Sequence, residues 1–153
     1  MSNIKVISQY INNLDFSLPN GASTFISENS KPDINLAIDL DAKKITNNNS
    51  KENIFEVILK IKAEAKNKDL NLFHLQISYS GLFSLEDIDE EMTQQILLVY
   101  CPNLLFPFLR RIIANITSDA GFPSLMLDLI DFNTLYQKRK NIAKSEPINN
   151  TKN

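Results

Sequence analysis

The chain contains 153 residues, of which 43% are hydrophobic and 22% are charged, with a formal net charge of −2. This length accommodates one domain with a sizeable core. The mildly acidic balance argues against a nucleic-acid partner, which requires clustered positive charge. Because Cys101 is the only cysteine, an internal disulfide is excluded. Residues 1–10 lack the apolar stretch of a signal peptide, and we therefore expect a cytoplasmic protein.

The first half of the chain predicts four β-strands. Apolar and polar residues alternate in four segments, as is typical of strands with one buried face. These segments are residues 4–18, 34–41, 55–62 and 73–80. A short turn at residues 67–69 predicts antiparallel pairing of the last two strands, whereas residues 22–33 and 46–51 are expected to be connections.

The first strand is predicted to have one wet face. The alternation assigns Val6, Tyr10, Leu14 and Phe16 to one side. It assigns Gln9, Asn13, Asp15 and Ser17 to the other.

The second half of the chain predicts helices. Residues 81–83 are expected to close the sheet, and Ser84 with Asp87 has the pattern of a helix capping box. The helix that follows should end near Tyr100, because Pro102 disfavours helical geometry in the residue before it. The sequence therefore predicts a buried elbow at this proline.

A second, longer helix is predicted after the elbow. Asn103 is placed to cap it, residues 104–116 give it a wide apolar stripe, and Gly121 is placed to end it. Residues 125–129 alternate in an extended segment, and Asp131 then caps a final short helix. No charge occurs between residues 92 and 109, but prolines and polar residues interrupt this run, so direct membrane insertion is not expected.

Together these segments predict an α+β fold, with helices packed on one face of a four-stranded antiparallel sheet. We expect residues 1–142 to form a single domain and residues 143–153 to form a disordered polar tail. The apolar helix stripe is wide enough to contact both its own sheet and a second subunit, which favours an oligomer.

Few residues point to catalysis. Three scattered glycines exclude a glycine-rich phosphate loop, and one histidine with one cysteine cannot form a metal-ligand cluster. His74 and Cys101 could form a nucleophile–base pair. A buried thiol and a histidine on a wet strand face explain the same two residues more simply.

Several motifs resemble the SecB family of protein-export chaperones. The run from Tyr100 to Phe108, YCPNLLFPF, is similar to the signature of that family. Further similarities occur in the order of the family and extend to about Tyr136. They are residues 10–20, Phe55-Glu56-Val57, Gly81-Leu82-Phe83-Ser84, Gly121-Phe122-Pro123, Leu125, Leu127 and Ile130-Asp131-Phe132.

The resemblance implies a homotetramer arranged as a dimer of dimers. Such a protein binds unfolded precursor proteins, keeps them unfolded without a cofactor, and passes them to the SecA translocation ATPase. We expect Leu109, Ile113 and Ile116 to serve the subunit contact. The expected client-binding groove is lined by Leu36, Ile38, Leu40, Tyr100, Pro102, Phe106, Phe132, Leu135 and Tyr136.

The implied SecA-docking face is the outer face of the sheet, where acidic side chains of the family meet a basic tail. In this chain the corresponding positions are Asn13, Asp15, Ser17 and Gln76, and Asp15 alone is acidic. Two other interpretations stay open: a SecB-like chaperone dedicated to a toxin–antitoxin pair, and an enzyme that uses His74 or Cys101.

Overall fold

The structure is a computed structural model that describes residues 3–26, 31–45 and 53–145. The chain divides into two compact units, Met1–Ile88 and Asp89–Asn153. The first unit holds the strands and the second holds the long helices. The predicted α+β class, a four-stranded antiparallel sheet with helices, is confirmed.

The sheet of the first unit has the strand order β1-β4-β3-β2, and every neighbouring pair is antiparallel. Its elements are β1 Asn3–Ser17, α1 Ser23–Ile26, β2 Asp33–Lys44, β3 Asn53–Asn67 and β4 Leu70–Glu86. Strands β2, β3 and β4 are longer than the alternating patterns that predicted them, whereas β1 is shifted by one residue from its predicted range. The short helix α1 falls where the sequence predicted a loop, and the predicted connection at residues 46–51 lies outside the described residues.

Alternation along the two central strands places most of their buried apolar side chains on one face. In β3, Val57, Leu59 and Ile61 are fully buried while Lys60 and Lys62 are exposed. Leu75 and Ile77 of β4 are buried on the same side, since residues paired across strands share a face. We call this side the apolar face and the side of Lys60 and Lys62 the polar face.

Two bulges in β1 correct the predicted faces of that strand. The register with β4 shifts between Val6 and Ser8 and again between Ile11 and Asn13. Each bulge inserts one residue and reverses the alternation beyond it. Tyr10 therefore pairs with Ser80 on the polar face, and the prediction that grouped it with Leu14 is wrong.

The sheet ends later than predicted. Ser84 lies inside β4, so the predicted capping box with Asp87 does not form. Asp89 caps the first long helix instead, accepting a hydrogen bond of 2.7 Å from the Met92 amide. In the β3–β4 hairpin, Lys68 takes a positive φ of 54°, which the tight turn requires.

The predicted elbow at Pro102 is also wrong. Helix α2, Glu90–Gln95, continues through a π-helical turn at Ile96–Tyr100 into α3, Cys101–Asp119. Cys101 keeps helical angles and donates its amide to the Ile96 carbonyl, five residues back. This wider turn lies directly before Pro102, where it leaves room for the ring at a position that has no amide to donate. Pro107 likewise lies inside α3.

The predicted end of α3 at Gly121 is confirmed. Gly121, at φ 96°, follows α3, and the amides of Gly121 and Phe122 donate to the Ser118 and Thr117 carbonyls in the arrangement of a Schellman motif. An extended segment at residues 122–131 leads to α4, Phe132–Ser145. Helix α4 continues to Ser145, beyond the predicted boundary at 142, and residues 146–153 lie outside the described residues.

Asp131 caps α4 as expected. Its carboxylate oxygens accept hydrogen bonds from the Thr134 amide at 3.0 Å and the Thr134 hydroxyl at 2.7 Å. The bond from the Thr134 amide, followed by that from the hydroxyl, lowers the pKa of Asp131.

Candidate functional site

An apolar row lies open on the edge strand β2. Leu36 and Ile38 are 47% and 42% exposed, Ile34 is similarly exposed, and Leu40 is half-buried. Their partners on β3 are residues of the apolar face, including Ile61 opposite Ile38. Within the described residues β2 pairs only with β3, so its second edge carries backbone groups that can receive another strand.

The other edge strand, β1, carries a second open apolar row. Ile11 and Leu14 are exposed and pair with Tyr79 and Ile77 on the apolar face of β4. On this face the apolar side chains of the central strands are buried, whereas those of both edge strands are exposed. The first unit therefore offers apolar contact area at each edge of its sheet.

In the second unit, the predicted groove residues fall into two groups. Tyr100 and Leu135 are exposed and Tyr136 is half-buried, so these three can contact a ligand. Pro102, Phe106 and Phe132 are buried within the chain. The rings of Phe106 and Phe132 meet edge to face at 6.0 Å, which attaches the first turn of α4 to α3.

The extended segment carries exposed apolar side chains that the sequence did not single out. Met126 and Leu129 are exposed, whereas Leu127 between them is buried. Two polar contacts hold the segment to α3. Arg110 Nε donates to the Leu127 carbonyl at 2.6 Å, and the Leu125 amide donates to Thr117 Oγ1 at 2.9 Å. The alternation within residues 125–129 could have drawn attention to this segment, but it does not reveal which of its side chains face solvent.

The residues predicted to form the subunit contact are mostly core. Leu109 and Ile113 have no exposed surface in the single chain, and Ile116 is half-buried. The assignment of these residues to a subunit contact stays a prediction, and Ile116 is its accessible member.

The predicted docking residues share the polar face. Asn13, Asp15 and Ser17 pair with Ser78, Gln76 and His74, which alternate along β4. Lys60 and Lys62 of β3 lie in the next column, opposite Ser78 and Gln76. A groove of about 320 Å³ opens beside them and is lined by Ala37, Ile38, Asp39, Lys60, Lys62 and Gln76.

A polar link crosses the same face nearer the other end of the strands. The Tyr10 hydroxyl donates to Glu56 Oε2, and Lys43 Nζ lies 3.3 Å from Glu56 Oε1. Burial, followed by the hydrogen bond to Glu56, raises the pKa of Tyr10 to about 12. The sequence pattern missed this link because the bulges in β1 are not visible in it.

Cys101 and His74 have separate local roles. Cys101 is 0% exposed, and burial raises the pKa of its thiol to about 12, which disfavours the reactive thiolate. His74 Nδ1 lies 3.3 Å from Glu64 Oε1 on the polar face. Across the described ranges, no group of three or more His, Cys, Asp or Glu side chains is placed to hold a metal ion.

One helical run, Glu90–Asp119, is long and apolar enough to cross a membrane by length and composition. The core helix of a soluble protein meets the same two criteria. In this chain Leu105, Leu109 and Ile113 of that run are fully buried within the protein, as expected of a core helix.

Comparison with known proteins gives a consistent result. The family described as "Preprotein translocase subunit SecB" matches residues 1–143. The chain is 42% identical over 139 residues to "Protein-export protein SecB" of Rickettsia akari, which covers 91% of this chain and 89% of that protein. The same identity and coverage are found for the protein of that name from Rickettsia bellii.

Among solved structures, the fold is similar to a SecB-like chaperone of Mycobacterium tuberculosis in complex with a ChAD peptide from the HigA1 antitoxin. The TM-score is 0.62, the sequence identity is 13%, and the match covers 83% of this chain and 90% of the other. At this identity the likeness concerns the fold alone.

Proposed function

Because the chain belongs to the SecB family of protein-export chaperones, we propose that it holds unfolded precursor proteins without ATP and delivers them to the SecA motor. The observation that carries this proposal is the open apolar row of β2, with Leu36 and Ile38 nearly half exposed on an edge strand. An unfolded precursor exposes apolar side chains and unpaired backbone groups, and an apolar edge strand can bind both.

The mechanism follows from weak, repeated contacts. Burying a half-exposed leucine or isoleucine contributes about 1 kcal/mol, so one short client segment binds weakly and dissociates readily. Exposed apolar residues also occur on β1, on the extended segment and on α4. Several such contacts to one long client increase the overall affinity, while each remains weak enough for transfer to an acceptor.

A homotetramer, a dimer of dimers, is the proposed assembly, because it multiplies these contacts for one client. The exposed apolar row on β1 supports an assembly, since a single chain leaves it uncovered. The proposed location is the cytoplasm, where a precursor is met before its export.

The polar face is the proposed surface for SecA. Its acidic content is low, because Asn13, Ser17 and Gln76 are neutral and Lys60 and Lys62 add positive charge. Exposed charge pairs contribute only about 0–1 kcal/mol each, but together they steer association and set its salt dependence. We therefore expect weak binding to a purely basic tail, and Asn13→Asp with Gln76→Glu strengthens it.

A chaperone dedicated to a toxin–antitoxin pair is the weaker alternative. It is supported by a fold that resembles a SecB-like chaperone bound to an antitoxin peptide. The relatives at 42% identity carry the export name instead, and for this reason general precursor holding is preferred. An antitoxin recovered as the sole co-purifying client would reverse this order.

The proposal is tested by client aggregation measured with light scattering. Leu36→Ser with Ile38→Ser removes the open apolar row, and two contacts of about 1 kcal/mol each correspond to roughly tenfold or more weaker holding. Asn35→Ser with Ala37→Ser is the matched control, because it changes two neighbouring residues of the same strand on its polar side. Equal loss in both double variants, or in neither, would contradict the placement of client binding on β2.

A further inference from the structure

We propose that the polar face binds an extended partner segment in which one acidic side chain lies between two basic ones, with the acidic side chain at Lys60 and Lys62. This inference deepens the docking part of the proposed function and rests on it for the role of the partner. It does not depend on client holding, which is placed on the apolar side of β2.

The groove beside β3 carries positive charge. Lys60 and Lys62 are exposed, line the groove of about 320 Å³, and project to the same side because they are two residues apart in a strand. In the described part of the chain, basic and acidic side chains approach within 4.0 Å at Lys43 and Glu56, at His74 and Glu64, and at Lys140 and Glu91. Neither groove lysine is among them, so both can bind an incoming carboxylate.

The groups beside the two lysines also favour the binding of a carboxylate in this groove. Gln76 lies directly opposite Lys62 and lines the same groove, where its side-chain amide can donate a further hydrogen bond. Asp39 lies opposite Lys60, and its Oδ1 accepts from the Leu40 amide at 3.0 Å, so its second carboxylate oxygen can accept from an incoming cation.

Negative charge lies on either side of the two groove lysines. Asp15 of β1 lies in the same cross-strand row as Gln76 and Lys62. Asp39 of β2 lies in the adjacent row, opposite Lys60. Across the strands the face therefore reads negative, neutral, positive and negative. An all-basic segment meets the two lysines, and an all-acidic segment meets the two aspartates, so the complementary segment alternates in charge.

Strand geometry sets the spacing of that segment. Neighbouring strands lie about 4.8 Å apart, which places the β1 and β3 positions roughly 10 Å apart and the β3 and β2 positions roughly 5 Å apart. An extended peptide advances about 3.3 Å per residue. Its side chains face the same side only at even spacings, so a segment that crosses the strands needs a basic residue about four positions before the acidic one and another about two positions after it.

Fluorescence anisotropy with two labelled peptides tests this inference. The first peptide has a glycine–serine host with arginine, then glutamate four positions later, then arginine two positions after that. The second has glutamine in place of the glutamate and is therefore more positive. General attraction to a chain of net charge −2 favours the second peptide. The inference predicts the opposite order, with the glutamate peptide bound about fivefold more tightly at low salt.

Charge reversal at the groove provides the matched test. Lys62→Glu should invert the preference, so that the glutamine peptide binds more tightly. Lys44→Glu makes the same change in net charge on an exposed lysine of β2 that faces the opposite side, and it should keep the native order. Both lysines are exposed, and circular dichroism verifies the fold of each variant.

Two results would overturn the inference: the native chain binding the glutamine peptide as tightly as the glutamate peptide or more tightly, and Lys44→Glu inverting the preference as Lys62→Glu does. Client holding is measured separately on the same samples. A native chain that prefers the glutamate peptide but holds no client would support this inference while contradicting the chaperone proposal.

Discussion

Tyr10, Glu56 and Lys43 connect three of the four strands through one carboxylate. Glu56 is only 8% exposed, yet it receives the Tyr10 hydroxyl and lies 3.3 Å from Lys43 Nζ. A carboxylate this buried is unfavourable without partners. The link therefore holds the bulged strand β1 against the centre of the sheet.

Replacing Tyr10 by phenylalanine should lower the free energy of unfolding at pH 9 by about 1.5–3 kcal/mol, the usual contribution of a hydrogen bond to a charged group. Because the folded pKa of Tyr10 is raised from 10.0 to about 12, its contribution is complete below pH 10 and disappears as the pH rises through 12. Urea unfolding of both proteins at pH 9 and pH 11 measures the difference, which should shrink at the higher pH. A difference that is equal at both pH values would contradict the raised pKa.

Cys101 should be unreactive in the folded protein. Its thiol is fully buried with a pKa near 12, so a thiol reagent at neutral pH should react only as fast as the chain opens. Cys101→Ala should retain client holding. Rapid labelling of the native chain, or loss of holding in a folded Cys101→Ala variant, would revive the interpretation that this residue takes part in chemistry.

At the scale of elements, periodicity predicted what depends on side-chain burial alone. Strands β2, β3 and β4 alternate cleanly, and each was located from that pattern. Helix α4 was located from its Asp131 cap and the end of α3 from Gly121. These signals are local, and nothing elsewhere in the chain competes with them.

The errors occurred where backbone geometry departs from regularity. The bulges of β1 reversed the face of Tyr10, and bulges carry no fixed sequence signature. The π-helical turn accommodated Pro102, so a residue that normally ends a helix lies inside one. For the candidate site, residue type identified apolar positions but could not separate exposed Tyr100 from buried Phe106.

Thr117 joins α3 to the extended segment through its hydroxyl. Oγ1 accepts from the Leu125 amide at 2.9 Å and lies 2.9 Å from the Ile113 carbonyl, as its donor. Thr117→Val leaves the Leu125 amide without this partner and should destabilise the chain by about 1–3 kcal/mol. Thr117→Ser keeps the hydroxyl and is the matched control.

Chemical denaturation gives the two free energies, and amide hydrogen exchange at Leu125 should accelerate in the valine variant only. If serine and valine destabilise equally and exchange is unchanged, the lost methyl or shape is responsible and the hydroxyl does not anchor the segment.

At the scale of the whole molecule, four chains are expected in native mass spectrometry at low micromolar concentration. Ile113 has no exposed surface, so a charge there would unfold the single chain and could not test assembly. Ile116→Asp should instead dissociate the tetramer while the chain stays folded, because this side chain is half-buried and accessible to a partner. Asn115→Asp, one residue earlier and exposed, is the control. A folded native chain that remains a monomer would contradict the proposed assembly.

The central claim is that this protein recognises the unfolded state of a precursor and needs no nucleotide to do so. Size-exclusion chromatography tests it with one slowly folding precursor, added either from urea or already folded, with and without ATP. The account predicts co-elution with the unfolded precursor alone, in equal amounts with and without ATP. Equal co-elution with the folded precursor, or binding to the unfolded precursor only when ATP is present, would contradict it.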